Sequence, residues 1–140
     1  MKLQIFDRST SSLKSNRISY RAVSFNRRNA RATFTKQAAE ELKIGEYQSV
    51  LFACDTDSKN NAWYLRLLKS DEGIAVRSKE GTGYCKGNVS YICTSRAMSR
   101  AILDSLKAKS GACLLISQNP VIIEGEEWYE LITTKPIRIQ

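Results

Sequence analysis

The same order of secondary-structure elements is predicted twice along the chain, and this repetition constrains the fold more than any other feature of the sequence. Each unit predicts two short strands, a short helix and two further strands, the order ββαββ. The only two tryptophans open the last strand of each unit, and each is followed by tyrosine: Trp63-Tyr64 and Trp128-Tyr129. One such unit is too small to bury both of its faces, so the two units are predicted to share one core about a pseudo-twofold axis, with both Trp-Tyr pairs in that core. Chance likeness between two unrelated stretches is the alternative.

Apolar periodicity and turn residues place the elements of each unit. In the first unit a hairpin is predicted whose turn lies at 26–29, because asparagine tolerates left-handed backbone. Thr35 is predicted to cap the following helix, and Gly45 to end it. In the second unit Thr94 is predicted to cap a helix that runs to about residue 108. The predicted strands cover 18–25, 30–34, 47–54, 62–69, 74–78, 89–93, 112–117 and 127–133, and the segments 55–61, 79–88 and 118–125 are predicted connections.

Length and composition fit a single small domain. With 140 residues, of which 42% are hydrophobic and 26% charged, the chain can form one core but not two of ordinary stability. Residues 1–16, which include a Ser/Thr cluster, are predicted to be a flexible basic arm. Residues 17–140 are predicted to form one domain of two repeats, about 17–70 and 71–134. The predicted fold class is α+β and rich in β-strands.

The net charge of +8 comes entirely from the first quarter of the chain. Residues 1–36 contain nine Lys or Arg and one Asp, whereas residues 37–140 contain thirteen basic and thirteen acidic side chains. A segregated positive field attracts polyanions, and arginine presents several donors to a phosphate, so the sequence predicts nucleic acid as the partner. Two alternatives remain: a solvated basic arm that only aids solubility, and an arm that docks on an acidic protein partner.

The residues from which a common active site could be assembled are missing. There is no histidine, so the usual general base and the commonest metal ligand are absent. No glycine-rich phosphate-binding fingerprint and no Gly-x-Ser-x-Gly motif occurs. The spacing of Cys85 and Cys93 matches no zinc motif, and Asp55 and Asp57 lack the further ligands of a calcium loop. The chain is therefore predicted to be non-enzymatic, without catalytic residues, cofactor or metal.

Cysteine usage and hydropathy predict the compartment. Cys54 and Cys113 lie in apolar, strand-like runs where a free thiol behaves as a small hydrophobe, and all four cysteines are predicted to be reduced. No apolar run approaches the roughly 18–20 residues that span a bilayer, and the amino terminus lacks the apolar stretch of a signal peptide. The protein is therefore predicted to be cytoplasmic, with no membrane partner.

The stretch RATFTKQAAEELKIGEYQSVLF, residues 31–52, resembles the AbrB/MazE-like (SpoVT-AbrB) swapped-hairpin domain. It has that family's strand ending at a Thr cap, short helix, turn with glycine and an acidic residue, and Val-containing strand. The second half of the chain is connected to the family through its repeat relationship to the first. The resemblance implies a small, pseudo-twofold, swapped-hairpin β-barrel with two helices, made here by two divergent copies fused in one chain.

Many members of that family bind operator DNA through basic residues of the first hairpin. The resemblance therefore implies a DNA-binding protein, a transcriptional regulator whose hairpin arginines contact the phosphates of duplex DNA. With the charge pattern it predicts the following contact residues: Arg17, Arg21, Asn26, Arg27, Arg28, Asn29, Arg31 and Lys36.

The second hairpin departs from the pattern of a symmetric DNA reader. It carries Arg77, Lys79 and Lys86 with Glu80 among them, so it is less basic than the first. The main alternative function is a non-enzymatic protein-interaction or assembly module with a basic arm. Related double-psi barrels act in substrate recognition or as enzymes, and an enzyme of that type predicts a deep pocket lined by carboxylates. The sequence leaves open whether the fused pair forms a homodimer.

Overall fold

Eleven strands, two α-helices and one short 3₁₀ helix make up the part of the chain that the computed structural model describes, residues 2–3, 20–57, 62–80 and 89–140. The strands are β1 Ala22–Asn26, β2 Arg31–Phe34, β3 Ser49–Asp55, β4 Ala62–Leu68, β5 Ile74–Ala75, β6 Arg77–Glu80, β7 Val89–Thr94, β8 Gly111–Ile116, β9 Val121–Ile123, β10 Glu126–Ile132 and β11 Arg138–Ile139. The helices are α1 Lys36–Glu41 and α2 Arg96–Ser105, and the 3₁₀ helix is Ile44–Glu46. The predicted basic arm, residues 1–16, lies outside the described residues apart from 2 and 3.

The strands join one antiparallel sheet. Its order is β5-β3-β4-β10-β8-β1-β2-β7-β6, with β9 paired to β10 and β11 paired to β8. The two ends of this path approach each other, because β5 contacts β7. Closure of a sheet removes the unpaired edges that would otherwise bind other chains. The described residues therefore form a β-rich, nearly closed, small barrel-like sheet with two helices, and this outline of the sequence prediction is confirmed.

One apolar core lies between the sheet and the helices. Along β1 the side chains of Val23 and Phe25 are buried while Ser24 between them is only half-buried, which is the alternation that a strand with one core face requires. Helix α2 contributes Ile102 and Leu103 to the same core, both fully buried.

The two Trp-Tyr pairs do not have the same environment. Trp63 is 6% exposed, and its Nε1 donates to Ser105 Oγ at 2.9 Å, which attaches β4 to the end of α2. The core position predicted for Trp63 is confirmed. Trp128 is only half-buried, so the core position predicted for it is wrong. The reason is that Trp128 lies in the part of β10 that pairs with β9, in a hairpin at the margin of the sheet.

Both helices begin at a hydroxyl cap. Thr35 Oγ1 accepts from the Ala38 backbone N–H at 3.3 Å, as predicted. In the second unit the cap is Ser95, whose Oγ accepts from the Met98 N–H at 3.2 Å. The prediction that Thr94 caps this helix is therefore wrong: Thr94 is the last residue of β7 and pairs with Arg31 of β2.

Neither helix ends at a glycine. Helix α1 has its cap at Leu42, and the next residue, Lys43, takes the left-handed backbone with φ of 52°. The prediction that Gly45 ends the helix is wrong, because Gly45 lies inside the 3₁₀ helix. Close approach explains the glycine, since a Cβ there would lie 2.7 Å from the Tyr91 hydroxyl. Helix α2 also ends before a left-handed lysine, Lys107 with φ of 57°.

Two short strands lie where none was predicted. Strand β9 falls inside the predicted connection 118–125, and β11 follows Pro136. Three residues are too few for a periodic pattern, and β9 forms because a tight turn folds it onto β10. Glu124 and Gly125 of that turn both have positive φ, 52° and 80°, which suits the right-handed twist of a hairpin.

Among the described residues no helix is long and apolar enough to cross a membrane.

Candidate nucleic-acid interface

The outer face of four neighbouring strands, β1-β2-β7-β6, carries a group of cations. Residues directly opposite each other in an antiparallel sheet share a face, and so do residues two apart along a strand. Thr33 of β2 and Arg77 of β6 both stand opposite Ile92 of β7. Arg31 therefore shares its face with Arg77 and Lys79. These three cations are called the basic face below.

The opposite face of the same strands points into the core. Phe25 pairs with Ala32, and Ala32 pairs with Cys93, and all three side chains are buried in the core cluster. The three cations therefore lie on the face opposite this cluster, where Arg77 and Lys79 are exposed and Arg31 is half-buried, with its Nε buried and without a described hydrogen-bond partner.

The acid of the second hairpin does not lie on the basic face. Glu80 follows Lys79 directly in β6 and pairs with Val89, so its side chain is on the other face of the strand. The second hairpin is less basic than the first by composition, yet its two described cations face the same way as Arg31. Lys86 lies outside the described residues.

A second group of cations surrounds a pocket beside the first hairpin turn. The pocket has a volume of about 340 Å³ and is lined by Arg27, Arg28, Ala30, Arg96, Ser99 and Arg100. It is called the arginine pocket below. The pairing of β2 with β7 assembles it: Arg31 pairs with Thr94, and the next residue, Ser95, donates its backbone N–H to the Ala30 carbonyl at 2.9 Å. Helix α2 therefore starts directly beside the turn.

Arg27 holds the turn against α2. Its Nη2 donates to Asp104 Oδ1 and to the Ala108 carbonyl, each at 2.8 Å, and its side chain is 32% exposed. Its Nε is buried and has no hydrogen-bond partner among the described residues. Arg28, Arg96 and Arg100 are exposed around it. Arg27 thus fixes one wall of the pocket, while the other three guanidinium groups remain accessible to solvent.

Arg21 does not belong to either group. Its side chain is 8% exposed, and its Nη2 donates to the Ser117 carbonyl at 2.8 Å. The guanidinium carbon lies 5.1 Å from the centre of the Tyr129 ring, and Nη1 is 4.0 Å from Glu41 Oε1. These contacts join β1 to β8, β10 and α1 inside the protein. A phosphate could reach this guanidinium only if those contacts broke, so we leave Arg21 out of the contact set proposed below.

The two asparagines shape the first turn. Asn26 Oδ1 accepts from the Asn29 N–H at 3.3 Å, and Asn29 Oδ1 accepts from the Arg31 N–H at 3.2 Å. Both side chains are exposed. The left-handed residue of the turn is Ala30, with φ of 54°, so the prediction that an asparagine supplies this conformation is wrong.

The remaining predicted contact residues are apart from the pocket. Lys36 is exposed at the start of α1, at the opposite end of β2 from the turn. Arg17 lies outside the described residues.

Sequence reasoning did not single out Arg96 and Arg100, which line the arginine pocket. They stand four positions apart on α2, so they share one side of the helix. That spacing is visible in the sequence, but their neighbours are not, because Arg27 and Arg96 are distant along the chain. Only the pairing of β2 with β7 brings them together.

Acidic side chains lie on another part of the sheet. A groove of about 800 Å³ between β3, β4 and the β9–β10 hairpin includes Asp55, Glu124 and Glu126 in its lining. All three are exposed, and Glu126 Oε2 is 2.7 Å from Arg66 Nη2. Along the sheet, β4 and β10 are separated from β2 by β8 and β1. The open groove differs from the deep carboxylate pocket that the double-psi enzyme alternative predicts.

Comparison of the chain with protein-family models, with curated proteins and with solved structures finds no match. No relative supplies a family.

The described cysteines are free thiols. Cys54, Cys93 and Cys113 form no disulfide, whereas Cys85 lies outside the described residues. Burial raises the pKa of the Cys93 thiol from its ordinary 9.0 to about 12, and burial also raises the pKa of Cys113 and of Cys54. A thiol reacts as its thiolate, so these groups are poor nucleophiles.

No group of three His, Cys, Asp or Glu side chains suited to a metal occurs within the described ranges.

The raised pKa of Cys93 makes the free energy of unfolding depend on pH. The unfolded thiol loses its proton near pH 9, whereas the folded thiol keeps it up to about pH 12. Stability is therefore fully present below pH 9 and falls above it, by up to about 1.4 kcal/mol per pH unit for one group. Urea unfolding of the wild type and of Cys93→Ala at pH 8.0, 9.5 and 10.5 measures this. The alanine variant should lose less stability over that range, and equal losses in the two proteins would contradict the assignment.

Proposed function

We propose that this protein binds duplex DNA and acts as a transcriptional regulator, with the basic face and the arginines beside it contacting phosphates. The observation that carries the proposal is the strand register, which groups Arg31, Arg77 and Lys79 on one outer face with no acid from β6 among them. Arg28, Arg96 and Arg100 extend the same positive region at the turn end of β2. Phosphate contacts of this kind supply most of the affinity of a protein for DNA.

The dimensions of the face suit a duplex. Neighbouring strands are about 4.8 Å apart, so Arg31 on β2 and the two cations on β6 are separated by roughly 10 Å across the sheet. The major groove is about 12 Å wide, so long side chains on these two strands can reach phosphates on both of its edges. The acidic groove is on β3, β4 and the β9–β10 hairpin, and Glu80 of β6 is on the opposite face from Lys79. The field of the protein therefore orients the basic face toward a polyanion.

The strand pairing supports the internal repeat. Trp63 and Trp128 stand 65 positions apart, and the same displacement relates the pairs on either side of them. Leu51 pairs with Arg66 as Ile116 pairs with Leu131, and Val50 pairs with Leu67 as Leu115 pairs with Ile132. In this correspondence Leu115 is the counterpart of Val50 in the second unit.

The exchange of strands between the units supports a swapped-hairpin arrangement. The first strand of unit one, β1, pairs with β8 of unit two. The first strand of unit two is interrupted at Val76, and its β5 half pairs with β3 of unit one while its β6 half pairs with β7. Each unit thus inserts its first strand against the other, as in the AbrB/MazE-like domain that residues 31–52 resemble. We propose that the chain is a fused, single-chain version of that pair.

A salt titration tests the proposal. Fluorescence anisotropy of a labelled duplex, measured between 50 and 300 mM KCl, should give a log affinity that falls with log salt at a slope of about −4, because four or five phosphates lose their counterions on binding. No binding at 50 mM, or a slope near zero, would contradict it. Polyglutamate at matched charge is the control: if it competes with the duplex at equal concentration of charge, the partner is an acidic protein and the interaction-module alternative is supported.

A further inference from the structure

A buried hydroxyl that has no hydrogen-bond partner among the described residues lines the arginine pocket. Ser99 is 1% exposed and lines the pocket, and its Oγ has no hydrogen-bond partner among the described residues. A serine inside a helix usually donates back to a carbonyl of the preceding turn. Ser105 of the same helix does so, since its Oγ donates to the Ile102 carbonyl at 2.7 Å. A buried polar group without a partner is unfavourable, so a ligand that accepts from Ser99 would stabilise the folded protein.

The charge around this hydroxyl also favours a ligand. Four arginines line the pocket, and within the described part of the chain the carboxylate bonded to one of them, Arg27, belongs to Asp104. Cations held this close repel one another unless an anion lies between them. The free Nε of Arg27 offers a further buried donor beside the exposed guanidinium groups. Guanidinium donors and a hydroxyl are the groups that bind phosphate oxygens most strongly.

The pocket has room for a ligand much larger than a water molecule. Its volume of about 340 Å³ is roughly ten times the ~30 Å³ that a water takes in the liquid. A phosphate monoester fits the charge better than a diester, because it carries close to two negative charges near neutral pH and three terminal oxygens. An internal phosphate of a nucleic acid has one charge and a sugar on each side.

We propose that the arginine pocket binds the phosphate monoester of a nucleotide chain end, the 5′-terminal phosphate of a DNA strand. Arg28, Arg96 and Arg100 surround the dianion, and Ser99 Oγ donates to one of its oxygens. The proposal that this pocket binds a phosphate monoester depends on the pocket residues alone. The proposal that the monoester is the end of a DNA strand rests on the proposed function. The two parts are separated by the ligands used to test them.

The first arm of the test uses inorganic phosphate and the free protein. At constant ionic strength, 20 mM phosphate should raise Tm by about 2–4 °C relative to chloride, because a ligand that binds only the folded state stabilises it. Ser99→Ala should have a higher Tm than wild type in chloride, since the unsatisfied hydroxyl is gone, but should gain less from phosphate. Arg100→Gln should also lose the phosphate effect, while Lys107→Gln, an exposed cation beyond the end of α2, should keep it. An equal phosphate shift in wild type, Ser99→Ala and Arg100→Gln would overturn the site.

The second arm compares two duplexes that differ only in their ends. A duplex with 5′-phosphates should bind at least fivefold more tightly than the same duplex with 5′-hydroxyls, and Arg100→Gln should remove the difference. Equal affinity for the two duplexes, with the phosphate shift of Tm intact, would overturn the DNA end as the source and leave a site for a free phosphate ester. Absence of binding to either duplex at 50 mM KCl would overturn the proposed function. The shift of Tm with inorganic phosphate would still test whether the arginine pocket binds a phosphate.

Discussion

Replacement of all three cations of the basic face, in Arg31→Gln/Arg77→Gln/Lys79→Gln, is expected to lower the affinity for duplex DNA about 500-fold at 0.1 M salt. Each phosphate contact releases about 0.9 counterion, so three contacts contribute roughly 2.7 decades at this salt concentration. The slope of log affinity against log salt should become shallower by about 2.7. Anisotropy with a labelled duplex measures both quantities.

A matched triple variant separates position from net charge. Lys43, Lys69 and Lys135 are exposed and lie outside β1, β2, β6 and β7, so Lys43→Gln/Lys69→Gln/Lys135→Gln removes three charges that do not belong to the basic face. This variant should lose less than tenfold in affinity and keep its salt slope. Equal losses in the two triple variants would mean that net charge alone attracts the DNA and that the basic face is not the contact surface. Both variants should keep the wild-type circular dichroism, since none of the six replaced side chains makes a described hydrogen bond or ion pair.

The sequence predicted the order of elements because that order depends on local patterns. Alternation in β1, the cap at Thr35 and the apolar side of α2 are all properties of short stretches. The misplaced cap differs from the true one by a single residue, since Thr94 and Ser95 are adjacent and have equivalent hydroxyl groups. Local chemistry does not determine which of two neighbouring hydroxyl residues caps the helix. The pairing of β7 with β2 determines it, because that pairing fixes the residue at which β7 ends.

Which side of the sheet a residue faces could not be predicted from the sequence. A slip of one residue in strand register moves every side chain to the other face. For this reason Arg21 could not be recognised as an internal residue. Glu80 could not be separated from Lys79 because both were predicted to lie in the connection 79–88, whereas the structure has them in β6. The first arginine of the predicted hairpin, Arg21, reaches inward because β1 pairs with β8 and β8 pairs with β10, which brings the Ser117 carbonyl and the Tyr129 ring to its guanidinium. The composition shows that the chain has an excess of positive charge. Only the pairing of distant strands shows on which surface those cations lie.

The barrel-like sheet depends on a few buried side chains of its central strands, and Leu114→Ala is expected to destabilise the protein by about 2–5 kcal/mol. Leu114 is fully buried in β8, pairs with Val23 of β1 and belongs to the core cluster. Truncation removes buried methyl groups and leaves a cavity in the close-packed interior. Domains of this size have a free energy of unfolding of about 5–15 kcal/mol, so this one change removes a large share of it. Urea unfolding followed by circular dichroism measures the loss as a lower midpoint at constant slope.

Leu115→Ala is the matched control for this prediction, because Leu115 is the next residue of β8 and is only half-buried on the opposite face. Leu115→Ala should lower the free energy of unfolding clearly less than Leu114→Ala does. Its truncation removes less buried apolar surface, and solvent fills the space that remains. A loss as large for Leu115 as for Leu114 would mean that both faces of β8 are covered, and that a part of the chain outside the described residues, or a second copy of the chain, packs against the outer face. Salt-dependent DNA binding should persist in both variants at temperatures where they are folded, because neither leucine lies near the basic face or the arginine pocket.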